Sequence, residues 1–143
     1  MNGNFFMKTL ILFDMDYTMI IPNKKDKIYN FERVIHPKYT KTYRYFLKMR
    51  KLQPKNIGIL SARPINCKQQ MLKFFKIDNI ITLDFNFKQE DLVNIQLFIS
   101  NYILWKTRIL NELAGECDMI IYFDDQYERF KELKHNIVVL APL

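Results

Sequence analysis

Glycine is scarce in this chain, with three in 143 residues beside five prolines. So little of either excludes collagen-like repeats and Pro/Gly-rich low-complexity sequence. Only two cysteines occur, Cys67 and Cys117, with no CxxC pair and no histidine at ligand spacing. That argues against a disulfide framework or a zinc site and fits a reducing cytoplasm. The two histidines carry no evident chemistry: His36 before Pro37 reads as a turn residue and His135 as a helix-end cap. Long apolar runs are missing too. The stretch from Phe5 to Phe13 is broken by Lys8 and closed by Asp14 and Asp16, too short and too charged to span a membrane, and no small-residue cleavage site follows. With no internal repeat and no Pro/Gly/Ser linker, residues 1–143 read as a single domain. Present in quantity are apolar residues, at 49%, and aromatics, at 15%, which exclude a disordered chain. The formal net charge of +7 favours polyanionic partners.

Four short apolar runs, residues 10–13, 57–60, 119–123 and 137–140, read as buried strands, each leading to a polar or acidic end, and 79–83 is a weaker fifth. Helical segments lie between them. Tyr39, Tyr43, Phe46 and Leu47 form one apolar stripe. A helix opening at Pro64 continues through Met71, Phe74 and Phe75, another carries Ile103, Ile109, Leu110 and Leu113 and stops near Gly115, and residues 126–134 read as a short last helix. Strands alternating with helices predict an α/β fold: a Rossmann-like three-layer sandwich around a mostly parallel central sheet. Residues 19–37, polar and basic between breakers, read as a flap-like excursion after the first strand.

The chemistry is concentrated at strand ends. Leu10-Ile11-Leu12-Phe13 runs into Asp14-Met15-Asp16-Tyr17-Thr18, two carboxylates two residues apart and then a hydroxyl. Open α/β sheets hold ligands at that carboxyl edge. Paired aspartates there are costly to desolvate unless a cation joins them, and a hard divalent ion with oxygen ligands meets that need. Ser61 ends the second run, with Arg63 close behind. Lys106 sits among Ile103, Leu104 and Trp105, at the start of its helix on this reading. Asp124 and Asp125 end the third run.

In that order, these four motifs resemble the haloacid dehalogenase superfamily of aspartate-nucleophile phosphohydrolases, whose pattern of DxDx[TV], Ser or Thr, Lys and DD falls on residues 14–18, 61, 106 and 124–125. The stretches Ile103-Leu104-Trp105-Lys106 and Tyr122-Phe123-Asp124-Asp125 are also similar to the 3′-phosphatase domain of phage polynucleotide kinases. The resemblance implies a Mg2+-dependent phosphomonoesterase in which Asp14 attacks phosphorus to form an aspartyl-phosphate. Asp16 would protonate the leaving oxygen and then activate water. It implies Mg2+ held by Asp14, the backbone carbonyl of Asp16 and Asp124, with Asp125 a ligand through water or an orienter. It implies a phosphoryl grip from Ser61, Lys106 and Thr18, with Lys88 as a competitor for the lysine's place. Where the family commonly has glycine this chain has Tyr17, which is expected to need an ordinary backbone conformation and either to stack on a substrate base or to close the pocket.

The intervals from Asp16 to Ser61 and from Ser61 to Lys106 leave no room for a cap domain, and an open site suits a macromolecular end. Lys24, Lys25 and Lys27 would overhang that site, and with Arg63 and Tyr17 they are the candidate substrate contacts. Lys41, Arg44, Lys48 and Lys51 recur along one helix face, interleaved with Tyr29, Phe31, Tyr39 and Tyr43. That pattern is either a solvated face with core tyrosines or a platform for single strands. Phosphorylated substrates, DNA or RNA ends among them, are the expected partners, beside a possible separately encoded kinase or ligase, and no membrane. The alternatives are a phosphoprotein or small-metabolite phosphatase, and a catalytically idle module binding nucleic acid or a partner.

Overall fold

The computed structural model describes residues 8–22, 38–84, 90 and 93–143. Its strands are β1 (Thr9–Phe13), β2 (Ile20–Ile21), β3 (Lys38–Tyr39), β4 (Ile57–Leu60), β5 (Ile80–Ile81), β6 (Met119–Phe123) and β7 (Ile137–Leu140), and its helices α1 (Lys41–Leu52), α2 (Lys68–Phe75) and α3 (Ile95–Ala114). Five strands form one sheet in the order β5-β4-β1-β6-β7, every neighbouring pair parallel. β2 and β3 make a separate antiparallel pair. The expected α/β sandwich is the fold observed, with β1 at its centre.

Parallel strands covered on both faces are apolar throughout, and side-chain alternation divides their residues between two cores. Ile11, Phe13, Ile57 and Ile59 face α1 and α2, meeting Phe46, Met49, Met71 and Phe75. Leu10, Leu12, Leu60, Ile120 and Tyr122 face α3, meeting Leu110 and Ala114. Gly58 is required where it stands: a Cβ there would lie 2.9 Å from the Asn79 carbonyl oxygen and 2.9 Å from Leu12 Cδ2. Thr40 caps α1, its hydroxyl accepting from the Tyr43 N–H, and Asn94 caps α3 in the same way at Leu97.

Several local expectations change. Tyr39 belongs to β3 and not to the helix stripe; it stacks on Tyr43 with ring centroids 4.7 Å apart. The expected helix over residues 126–134 is a single 3-10 turn, Tyr127–Arg129. Phe130 turns extended because its ring packs edge-on against Tyr122, 5.8 Å away, and core burial outweighs helix propensity. His135 consequently caps no helix and sits exposed in the turn before β7. Lys106 lies in the middle of α3, which starts about two turns before Ile103, the first residue the sequence assigned to it. Lys24, Lys25, Lys27, Tyr29, Phe31, His36 and Lys88 lie outside the described residues.

Candidate active site

The alternation that sorts the cores also builds the site. Leu10 and Leu12 face α3, so Asp14, the next residue in that series, faces α3 as well. Register pairs Leu12 with Tyr122 and Phe13 with Phe123, which puts Asp124 beside Asp14 on the same face, and the Asp14 N–H donates to the Phe123 carbonyl at 2.9 Å. On α3 the buried line Ile103, Lys106, Leu110, Ala114 points one lysine at this edge. Its Nζ donates to Asp14 Oδ1 at 3.1 Å and to Asp124 Oδ2 at 2.7 Å. Thr18 completes the frame: its hydroxyl donates to Asp14 Oδ2 at 3.1 Å and accepts from the Asp125 N–H at 3.0 Å.

Lys106 is 2% exposed and Asp124 fully buried, so their charges act in a poorly screened setting. Burial, then the neighbouring Asp124, pushes the Asp14 carboxyl well above its usual range despite Lys106. Burial and Asp124 likewise raise Asp125. Burial alone would pull the Lys106 ammonium down, but Asp124 and Asp14 overcome it and hold it up. The ammonium also lies over the rings of Tyr102 and Tyr122, 5.1 and 5.5 Å from their centroids. Tyr122 is fixed by its hydroxyl, which donates to the Leu60 carbonyl at 2.7 Å.

Asp16 sits apart, gripped by Arg63 in a two-pronged ion pair: Nε to Oδ2 at 2.9 Å and Nη2 to Oδ1 at 2.7 Å. The loop after β4 holds Arg63 in place, since its N–H donates to Ser61 Oγ and its carbonyl accepts from Leu83. Among the described residues, four carboxylates thus meet one ammonium and one guanidinium. Asp14, Asp124 and Asp125 present oxygens within 4.8 Å of one another. That oxygen set, short of positive charge among the described residues and largely buried, fits a hard metal ion.

These groups open into a cavity of about 330 Å³. Asp14, Lys106 and Asp125 line it, together with Arg63 and Asp16 and with residues of the first turns of α3.

No family model matches the sequence, and no curated protein matches it closely enough to count as a relative. Among solved structures, a chain of the Pnkp1/Rnl/Hen1 complex is similar, with a TM-score of 0.52 and 18% identity over 95% of this chain and 47% of that one. The likeness shows the fold. The present chain spans about half the length of that solved protein.

Of the residues the sequence singled out, Asp14, Asp16, Lys106, Arg63, Tyr17 and Asp125 line one cavity. Asp124 lies beneath it against Lys106. Ser61 and Thr18 are buried, and neither is among the lining residues. The carboxylate cluster is Asp14, Asp124 and Asp125, while both Asp16 carboxylate oxygens lie on Arg63. Arg63, read from sequence as a substrate contact, is 1% exposed and turned to Asp16. Tyr17 does not adopt an ordinary conformation: its φ is 62°, in the left-handed region. The Met15 carbonyl accepts from Thr18, Met19 and Ile20 while the Tyr17 N–H donates to Ile20, a turn that buries Met15 and Met19 and forces the residue at 17 left-handed. Sequence reasoning missed Ile95, Phe98, Ile99 and Tyr102, which wall the cavity. Their spacing of i, i+3, i+4, i+7, leading to Lys106 at i+11, was the available signal.

Proposed function

We propose that this chain is a Mg2+-dependent phosphomonoester hydrolase of the haloacid dehalogenase type, using Asp14 as nucleophile on phosphorylated nucleic-acid ends or nucleotides. The observation that carries the reading is the clamping of Asp14 at the centre of the sheet's carboxyl edge. One oxygen lies on Lys106 and the other on Thr18, beside two further carboxylates. A nucleophile with both oxygens oriented before substrate arrives spends little entropy on alignment. Asp14, Asp124 and Asp125 would hold Mg2+, which supplies neutralisation of the phosphoryl charge.

In the first step an Asp14 oxygen bonds to phosphorus as the ester P–O bond breaks, and the leaving oxygen takes a proton from Asp16. In the second, water attacks the aspartyl-phosphate and gives its proton back to Asp16. The Asp14–phosphorus bond then breaks and phosphate leaves. To hold that proton Asp16 must release one oxygen from Arg63. An arriving phosphoryl group offers the guanidinium an equally good two-pronged partner, so substrate binding frees the acid. Ser61 Oγ accepts from the Arg63 N–H and so holds the loop that presents the guanidinium. Separately encoded partners, a kinase or ligase among them, belong to this reading; the chain of similar fold is itself part of a complex.

The test is phosphate release, with and without Mg2+, from 3′- and 5′-phosphorylated oligonucleotides and from an aryl phosphate, with Asp14→Asn alongside. Metal-dependent release from an oligonucleotide end, abolished by Asp14→Asn, is expected. Release unaffected by that substitution would sink the nucleophile assignment.

A further inference from the structure

The cavity above Asp14 has two unlike halves. Part of its lining is ionic, but α3 adds Ile95, Phe98, Ile99 and Tyr102, and Tyr17 lines it as well. The Phe98 and Tyr102 rings pack edge-to-face, centroids 5.6 Å apart at 77°. Tyr17 is 57% exposed and is held at a φ of 62°, where a side chain costs roughly 1–2 kcal/mol that glycine would avoid. A bulky aromatic kept at a strained, exposed position, lining the same cavity as another aromatic pair, suits a flat occupant.

We propose that Tyr17 and the Phe98–Tyr102 pair form a stacking slot for the base of the single nucleotide that bears the phosphate. This rests on the phosphatase reading and adds to it the residues that choose the substrate. Two observations select a nucleotide over other planar phosphates. Tyr102 and Phe98 precede Lys106 by four and eight residues, about 6 and 12 Å along the helix axis. A ring bonded directly to its phosphate, as in phosphotyrosine, would reach Tyr102 and stop there. A base separated from the phosphate by a sugar reaches Phe98. The cavity volume, about 330 Å³, is at the lower end of the range for small-ligand sites and has room for one nucleotide, not for paired strands. The chain's net charge of +7 suits the remaining phosphates of a polynucleotide.

The discriminating comparison is kcat/KM for phosphorylated oligonucleotides whose phosphate-bearing nucleotide has or lacks its base, measured on the wild type, Tyr17→Gly and Phe98→Leu. Tyr17→Gly relieves the backbone strain, and its melting temperature, measured alongside, shows that the fold is kept. The wild type is expected to prefer the intact end by about tenfold or more, as stacking on an aromatic would give, chiefly through KM. Both variants should reduce that preference several-fold. In parallel, Asp14→Asn is titrated with oligonucleotides carrying 2-aminopurine at the phosphorylated end, one set 3′- and one set 5′-phosphorylated. Quenching of the probe, lost when Tyr17→Gly is added, is expected and reads stacking without turnover. Turnover with no base preference and no quenching would overturn the slot while the phosphatase stands. Quenching without turnover in the wild type would uphold the slot and overturn the phosphatase reading. Hydrolysis of a phosphotyrosine peptide faster than either oligonucleotide, with the same dependence on Tyr17, would replace the base by an aryl ring and overturn the assignment.

Discussion

Replacing Lys106 by methionine keeps the side chain's length and removes its charge. The ammonium holds two carboxylates, at 2.7 and 3.1 Å, of which Asp124 is fully buried and Asp14 nearly so. At about 3 Å and an effective dielectric near 20, each contact is on the order of 5 kcal/mol before the cost of burying the charges is subtracted. Removing one member of a buried ion cluster leaves the others uncompensated, and the net loss is about 3–5 kcal/mol. The sign of its pH dependence follows from the carboxyls left behind. With the ammonium gone, Asp14, already raised by burial and Asp124, rises further, and a group whose folded pKa exceeds its unfolded one loses stability as pH rises through the folded value. The deficit of Lys106→Met therefore grows as pH rises above the ordinary carboxylate range and shrinks as pH falls back toward it. Mg2+ should restore more stability to the variant than to the wild type, since it meets a more negative site; saturation at about 100 times its Kd is worth about 2.7 kcal/mol. Urea unfolding followed by circular dichroism, in chelator and in Mg2+, measures all three. A loss under about 1 kcal/mol at neutral pH in chelator, or one that does not vary with pH, would refute this account of the charge cluster.

Tyr17→Gly is expected to raise the melting temperature by about 2–4 °C, because relief of left-handed strain outweighs the extra entropy of an unfolded glycine; a lower Tm would show that the tyrosine ring contributes packing. Gly58→Ala should cost about 1–3 kcal/mol, since Asn79, whose carbonyl accepts from Ile59 at 2.8 Å, cannot retreat from the new methyl; denaturation midpoints give the value. In the wild type, the rise in Tm on adding Mg2+ should grow as pH rises above the ordinary carboxylate range, as ionisation of Asp14 and Asp125 costs the metal-free protein stability that the metal returns. Calorimetry with and without Mg2+ reads it, and a shift that is constant with pH would count against carboxylate ligation.

The parts of the site carried by regular strands were legible in the sequence. Two-residue alternation along Leu10, Leu12 and Asp14 needs no tertiary information, and the run ending at Phe123 delivered Asp124 to the same edge. Lys106 was legible as an anomaly: a charged residue on an apolar helix face requires buried partners of opposite sign. What escaped was decided by packing between elements. The last helix was lost because Phe130 is worth more against Tyr122 than in another helical turn. Tyr17 was given an ordinary conformation because nothing local announces the turn that the Met15 carbonyl closes over Met19 and Ile20. Ile95, Phe98 and Ile99 resemble any core stripe, and only the geometry reveals that their face looks across a cavity and not into the sheet.

The charges of the site fall into two classes with different freedom, and the difference bears on the proposed chemistry. Asp14 and Asp124 continue central strands, Lys106 stands mid-helix, and their mutual contacts are buried, so this group can change its protonation or its cation but hardly its position. Asp16 and Arg63 lie on loops, and Asp16 is partly exposed to the cavity. Their pair is held by two hydrogen bonds that a phosphoryl group can match one for one. A two-step transfer asks for that division. The nucleophile must return to the same place after each turnover, whereas the acid must be occupied when the site is empty and released when it is filled. On this argument Arg63→Lys, which keeps the charge but loses the fork, should slow the chemical step more than it weakens substrate binding. A stopped-flow measurement of burst rate against substrate concentration separates the two. An effect confined to KM would mean that Arg63 only attracts the substrate and has no part in freeing Asp16.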